Sequence, residues 1–274
     1  MNVLSNHINE LKAAEGFTKQ STVFDELYNG DTIIQYKRQR VREHILSYAK
    51  KNCCMLELNC GTGEDAIFFA QNGFSVHATD ISQGMLDVLK QKKERSGLDE
   101  RIAIEECSFT ELGKLQTGQP FDYVYSNFGG LNCTGELERV LSSLNTIVKP
   151  GGVITLVMIS KFCLWETLLL FRGKFKTAFR RFFASKGRKA HVEGSFFKCW
   201  YYSPSFIKKQ LQSKFEVLSV EGLCTIVPPS YIQNFAEKHP IAFRFLKKRE
   251  DSLKSKWPWR STGDYFVISF RKKI

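Results

Sequence analysis

The stretch MLELNCGTGED, residues 55–65, carries the residue types of a ligand-holding turn. An apolar run ends in Glu57, and Asn59, Cys60, Gly61 and Gly63 follow. Glycines at such a place permit left-handed backbone and let main-chain N–H groups approach a ligand closely. Asp80 lies 23 residues beyond Glu57, at the end of a second apolar run. An acidic side chain about 20 residues after a glycine-rich turn suits the paired hydroxyls of a ribose. The turn reads N-C-G-T-G and not G-x-G-x-x-G, and Glu64 and Asp65 open the helix-like segment behind it. A pyrophosphate there would face two carboxylates, so a ligand bearing positive charge fits better than a dinucleotide.

Those residues need a frame that brings strand ends together. Apolar runs at 53–58, 74–80, 101–107, 121–128 and 153–160 predict strands. Helical patterns lie between them at 63–73, 82–97 and 136–149, with Ser82 as an N-cap and Gly73 and Gly97 as stops. The alternation predicts an α/β, doubly wound, Rossmann-like parallel sheet with helices on both faces. In such a sheet ligands sit beyond the carboxyl ends of the strands, where MLELNCGTGED falls.

The motifs LELNCGTG, HATDIS and VKPGGVITL, in that order, resemble the class I S-adenosylmethionine-dependent methyltransferases of the small-molecule type. The resemblance is strong over residues 50–160. It implies a seven-stranded, mostly parallel sheet with an antiparallel last strand, whose tail would be FEVLSVEGL and GDYFVISFRK. It also implies roles. Glu57 and the turn Asn59–Gly63 would hold the amino-acid end of S-adenosyl-L-methionine, and Asp80 its ribose. Ile81 and Met85 would lie beside the adenine, with Ser108 and Phe109 flanking its other side. Asn127 and Phe128 would face the reacting methyl. Phe24 and Tyr28 would belong to a lid. The sequence departs from the pattern twice: Asn59 stands where the family has its first glycine, and Ser108 where it often has an acidic residue. Asn is among the side chains that best tolerate left-handed backbone.

At 274 residues and 43% hydrophobic content, the chain can fill one large core. The expected organisation is a single methyltransferase domain, 1–274. It has an N-terminal helical lid (1–50), a cofactor core (51–160) and helical cap insertions at 161–200 and 225–262. Net charge is +12. Residues 161–200 carry ten Lys or Arg against two acidic side chains (+8), and residues 241–274 ten against three (+7), leaving −3 for the rest. The basicity therefore sits outside the core. Leu164, Leu168, Phe171, Phe175, Phe179 and Phe182 recur at helical spacing, with Arg172, Lys174, Lys176, Arg180 and Arg181 between them. That pattern suits a lid, or a peripheral contact with an anionic membrane.

No His or second Cys stands at metal-ligand spacing from any of the eight cysteines, so no metal site is expected. The N-terminus lacks an apolar signal core, no run approaches a membrane span, and a reduced, cytoplasmic setting is expected. The acceptor is expected to be a small, hydrophobic or lipid-like molecule methylated at oxygen. His191, Tyr201 and Tyr202 are the candidate acceptor-side catalytic residues. A nucleic-acid acceptor is the rival, since basic residues suit phosphates. It is less favoured, because strand 4 runs into Ser-Asn-Phe-Gly-Gly and the basic residues are interleaved with Phe and Leu.

Overall fold

The computed structural model describes residues 3–173, 175–182 and 184–274, without the side chains of 3–5, 172 and 176. Of the expected basic pattern, Lys174 and the side chains of Arg172 and Lys176 lie outside the described residues. The strands are β1 (Cys54–Leu58), β2 (Ser75–Asp80), β3 (Ile102–Glu106), β4 (Phe121–Ser126), β5 (Val148–Ile159), β6 (Arg188–Val192), β7 (Ser195–Cys199), β8 (Phe215–Leu223) and β9 (Tyr265–Lys272). The helices are α1 (Val3–Gln20), α2 (Phe24–Asn29), α3 (Thr32–Tyr48), α4 (Glu64–Gln71), α5 (Gln83–Arg95), α6 (Leu137–Ile147), α7 (Leu164–Leu168), α8 (Phe175–Ala178), α9 (Pro204–Leu211), α10 (Phe235–Lys238) and α11 (Pro240–Leu253).

Seven strands form one sheet in the order β3-β2-β1-β4-β5-β9-β8, with β9 antiparallel to both neighbours. This is a Rossmann-like methyltransferase fold. Strand β1 is apolar almost throughout because both its faces are covered. Leu56 and Leu58 join Val124, Leu156 and the α6 residues Leu137, Val140, Leu141 and Leu144 in one layer. Met55 joins Tyr123, Tyr125 and residues of α3 and α4 in the other. Each fully buried Leu or Val contributes about 1.5–3 kcal/mol. The helix starts follow capping rules. Asp31 accepts the N–H groups of Ile33 and Ile34, Ser82 accepts that of Met85, and Ser203 accepts that of Phe206 ahead of Pro204.

The 161–200 segment departs from the expected helical cap. Gly173 adopts φ +70° and breaks the amphipathic pattern into α7, a 3-10 turn at Leu169–Arg172 and α8. The remainder is the β6–β7 hairpin, closed by Glu193 and Gly194 at φ +43° and +80°. Two consecutive left-handed residues give a turn whose twist matches that of the strands. The first half is anchored by Arg181, 2% exposed, which donates to Glu166, to Asp264 and to the carbonyls of Ser160 and Asp264.

Candidate cofactor site

The sheet order reverses between β1 and β4, and the turn after β1 lies in the resulting crevice. Asn59, Gly61 and Gly63 all have left-handed backbone, at φ +51°, +55° and +76°. Gly63 starts α4 against α5, where an added Cβ would stand 2.1 Å from Leu89 Cδ1. Asn59 uses its side chain to tie the turn to β4: its Nδ2 donates to the Asn127 carbonyl (3.1 Å) and its Oδ1 accepts the Ser126 hydroxyl (2.6 Å). The amide fits because residue 130 is glycine; a Cβ there would meet Asn59 Cγ at 2.2 Å. Asn in place of the first glycine is thus matched by a glycine on the facing loop.

Carboxylates crowd this turn. Asp80 Oδ2 accepts the Gly61 N–H and Oδ1 the Ser82 N–H, both at 2.9 Å, which fixes the turn and the start of α5 together. Burial raises the Asp80 carboxyl, and those N–H groups pull it back. Glu57 is 2% exposed and accepts the Tyr125 hydroxyl at 3.1 Å. Burial first, and the charge of Asp65 second, hold its carboxyl well above the usual range. Asp65 is paired with Arg42 Nε (2.6 Å) and accepts Asn127 Nδ2 (2.7 Å).

A cavity of about 290 Å³ opens above these groups, near the lower edge of small-ligand sites. Glu57, Asn59, Cys60, Gly61, Asp80, Ile81, Met85, Phe109, Asn127 and Phe128 line it, together with Phe24. Three other expected residues stand behind the wall. Tyr28 packs on Phe24 with ring centroids 4.6 Å apart, Gly63 is buried against Leu89, and Ser108 hydrogen-bonds to Glu10. Helix α2 is pinned over the turn by Asp25, which accepts the Thr62 hydroxyl (2.7 Å) and pairs with Lys92 (2.5 Å).

The three expected acceptor-side residues do not line this cavity. His191 is exposed on the β6–β7 hairpin, where its Nε2 accepts the Gly194 N–H (3.0 Å) and its ring lies against Phe196. Tyr202 donates its hydroxyl to the Thr134 carbonyl (2.7 Å) and stacks on Phe206. Tyr201 sits beneath the Arg181 guanidinium, 5.4 Å from ring centroid to Cζ. In their place the cavity takes Glu10 and Phe17 from α1, Arg38 from α3, Cys133 beyond β4, and Phe197 and Cys199 from β7. None of these has a motif around it; only the fold brings them to the strand ends.

Three residues of the wall bear unmatched polar atoms, Glu10, Arg38 and Asn127, and the last two describe the amino-acid end of a ligand. Arg38 Nε and Asn127 Oδ1 are shut off from solvent with no hydrogen-bond partner among the described residues. A buried donor and a buried acceptor left open call for an acceptor and a donor from a guest. Arg38 suits a carboxylate, Asn127 an ammonium, Asp80 a diol, and the surplus of acid a cationic centre. The residues present therefore fit S-adenosylmethionine.

Residues 55–152 match a family described as "Methyltransferase domain". Mouse glycine N-methyltransferase is 31% identical over 147 residues, 48% of each chain. Demethylmenaquinone methyltransferase of Leptospira interrogans is 28% identical over 144 residues, 51% of this chain and 57% of that one. The chain thus spans about half the length of these curated relatives. The structure of 1,6-didemethyltoxoflavin-N1-methyltransferase from Burkholderia thailandensis, with 1,6-didemethyltoxoflavin and S-adenosylhomocysteine bound, superposes with a TM-score of 0.59. The two are 14% identical, and the alignment covers 100% of this chain and 93% of that one. The domain match, the strand order and the acidic crevice at the switch point together support a class I S-adenosylmethionine-dependent methyltransferase.

Proposed function

We propose that the chain transfers a methyl group from S-adenosylmethionine to the oxygen of a small, hydrophobic acceptor. The observation that carries the reading is the pairing of an acidic, diol-accepting turn with an apolar wall. Glu57 and Asp80 lie on one side of the cavity, and Phe17, Phe24, Phe128, Ile159 and Phe197 on the others. The sulfonium supplies an already activated methyl when the cofactor is bound. What remains for the protein is to fix the acceptor behind that methyl and to keep water out, and such positioning can remove roughly 7–11 kcal/mol of a barrier. Asn59, Gly61 and Asp80 would hold the nucleoside and its amino-acid arm. Ile81, Met85 and Phe109 would wall the base, with Ser108 behind them. Asn127 and Phe128 would border the methyl. Phe24, backed by Tyr28 and pinned by Asp25, would close the top. A hydroxyl acceptor must also lose its proton.

The relatives' names include two N-methyltransferases, so a nitrogen acceptor is the second reading. Transfer of labelled methyl from S-adenosylmethionine into a cell extract, followed by partition, decides the class. Enzyme-dependent label in the organic phase is expected. Label confined to nuclease-sensitive material would overturn the choice of acceptor.

The 161–200 segment bears on where that acceptor is met. Leu168, Phe171, Phe175, Phe179 and Phe182 are exposed, Phe171 to 88%. The segment is strongly basic, yet Arg180 and Arg181 are both engaged by Glu166 and are not free for phosphates. We read this surface as a peripheral contact with an anionic membrane. No helix among the described residues is long and apolar enough to cross one. Salt-sensitive pelleting with anionic liposomes is expected, and equal recovery with neutral ones would count against it.

A further inference from the structure

One carboxylate in the cavity has no part in holding the turn. Glu10, on α1, is 2% exposed. Its Oε2 accepts the hydroxyls of Ser108 (2.8 Å) and Thr110 (2.9 Å). Its Oε1 has no hydrogen-bond partner and is cut off from solvent. No cation among the described residues pairs with it. Burial raises its carboxyl above the ordinary value, while the Ser108 hydroxyl opposes the rise. A buried acceptor left open in this way is costly unless a ligand donates to it.

Its place in the crevice says which part of a ligand that is. Asp80 ends β2, and the residues that grip Glu10 follow β3, the next strand outward from β1. A nucleoside with its diol on Asp80 and its amino-acid arm in the Asn59–Gly63 turn must extend its base away from β1, toward the end of β3. Ile81, Met85 and Phe109 give that region apolar walls. The ring edge of the base therefore arrives at Glu10. Adenine presents a donor there, its 6-amino group; a 6-oxo purine would present an acceptor and be repelled by a carboxylate.

We propose that Glu10 accepts the 6-amino group of the cofactor's adenine, so that base specificity resides in the N-terminal helix and not in the strand ends. The proposal rests on the cofactor reading above. It also accounts for Ser108: where the resembling family often has an acid, this chain has a hydroxyl that holds an acid delivered from 98 residues away.

Calorimetric titration of the full chain with S-adenosylhomocysteine and with its 6-oxo analogue, S-inosylhomocysteine, tests this. The wild-type protein is expected to prefer the amino compound by at least about tenfold, the value of one hydrogen bond. Glu10→Gln, whose amide can donate to a 6-oxo group, should weaken S-adenosylhomocysteine about tenfold and bring the two ligands within threefold, or invert them. A merely structural role would weaken both ligands alike. An unchanged preference in Glu10→Gln overturns the assignment while leaving the cofactor reading intact. Failure of S-adenosylhomocysteine itself to bind the wild-type protein overturns both. Should the variant not fold, the wild-type pair decides alone, and equal affinities refute the proposal.

Discussion

Replacing Asp80 with alanine (Asp80→Ala) should abolish most of the affinity for S-adenosylhomocysteine. The carboxylate holds two backbone donors at 2.9 Å, Gly61 N–H and Ser82 N–H, one on each oxygen, and lines the cavity with acceptor capacity to spare. A ribose diol would complete it with two hydrogen bonds to a charged acceptor, each worth about 1.5–3 kcal/mol. Losing both removes about 3–6 kcal/mol. Water entering the space left by the side chain recovers part of this, so the lower end is the safer expectation: about 3 kcal/mol, or roughly two orders of magnitude in dissociation constant. Gly61 lines the cavity, where water can replace the carboxylate on its N–H, whereas Ser82 is buried, so the thermal midpoint should also fall. The assay is isothermal titration of the variant beside the wild type. A dissociation constant within threefold of wild type would refute the ribose role.

Three further outcomes follow from the same geometry. Glu57 has its carboxyl raised by burial and by Asp65, so it stabilises the empty protein below the ordinary carboxylate range. That contribution is lost as pH rises through the raised value. Glu57→Gln should therefore raise the thermal midpoint of the empty protein by an amount that grows with pH, while weakening cofactor binding; a midpoint difference independent of pH would contradict it. Gly130→Ala drives a methyl to 2.2 Å from Asn59 Cγ and should cost roughly 1–3 kcal/mol in urea unfolding. Adding Asn59→Gly should restore stability, and a double variant no better than the single one would show that the clash is not the cause. Arg181→Ala strands Asp264 in a buried site and leaves Glu166 with Arg180 alone, and should cost roughly 3–5 kcal/mol by the same measurement. A loss below about 1 kcal/mol, the scale of an exposed pair, would mean the network is solvated.

The parts of the site that could be read in the sequence are those set by neighbours in the chain. The β1 turn was legible because an apolar run, Gly61 and Gly63 announce a strand and a left-handed bend within a few residues. Asp80 was legible because it closes the next strand. Asn59 was legible as a tolerated exception, but its partner Gly130 was not, since only strand pairing sets them face to face. Glu10 and Arg38 stayed hidden for the same reason: each lies on a helix that gives no local sign of facing the strand ends. The β6–β7 hairpin was masked by composition. RKAHVEGSFFKC is as basic and aromatic as the helical stretch before it, and its one signal is the Glu193–Gly194 turn. The hairpin turns His191 outward and offers Phe197 and Cys199 to the cavity.

The account stands most directly on whether the acidic crevice takes the cofactor. Titration of the intact wild-type chain with S-adenosylmethionine, in two buffers of different ionisation enthalpy, measures this. One site per chain is predicted, with a dissociation constant inside the roughly 1 µM to 1 mM range typical of enzyme ligands. Binding should release protons, because a cationic ligand favours the ionised forms of Glu57, Asp80 and Glu10, all raised by burial. No heat of binding up to about 1 mM, or proton uptake in place of release, would contradict the account.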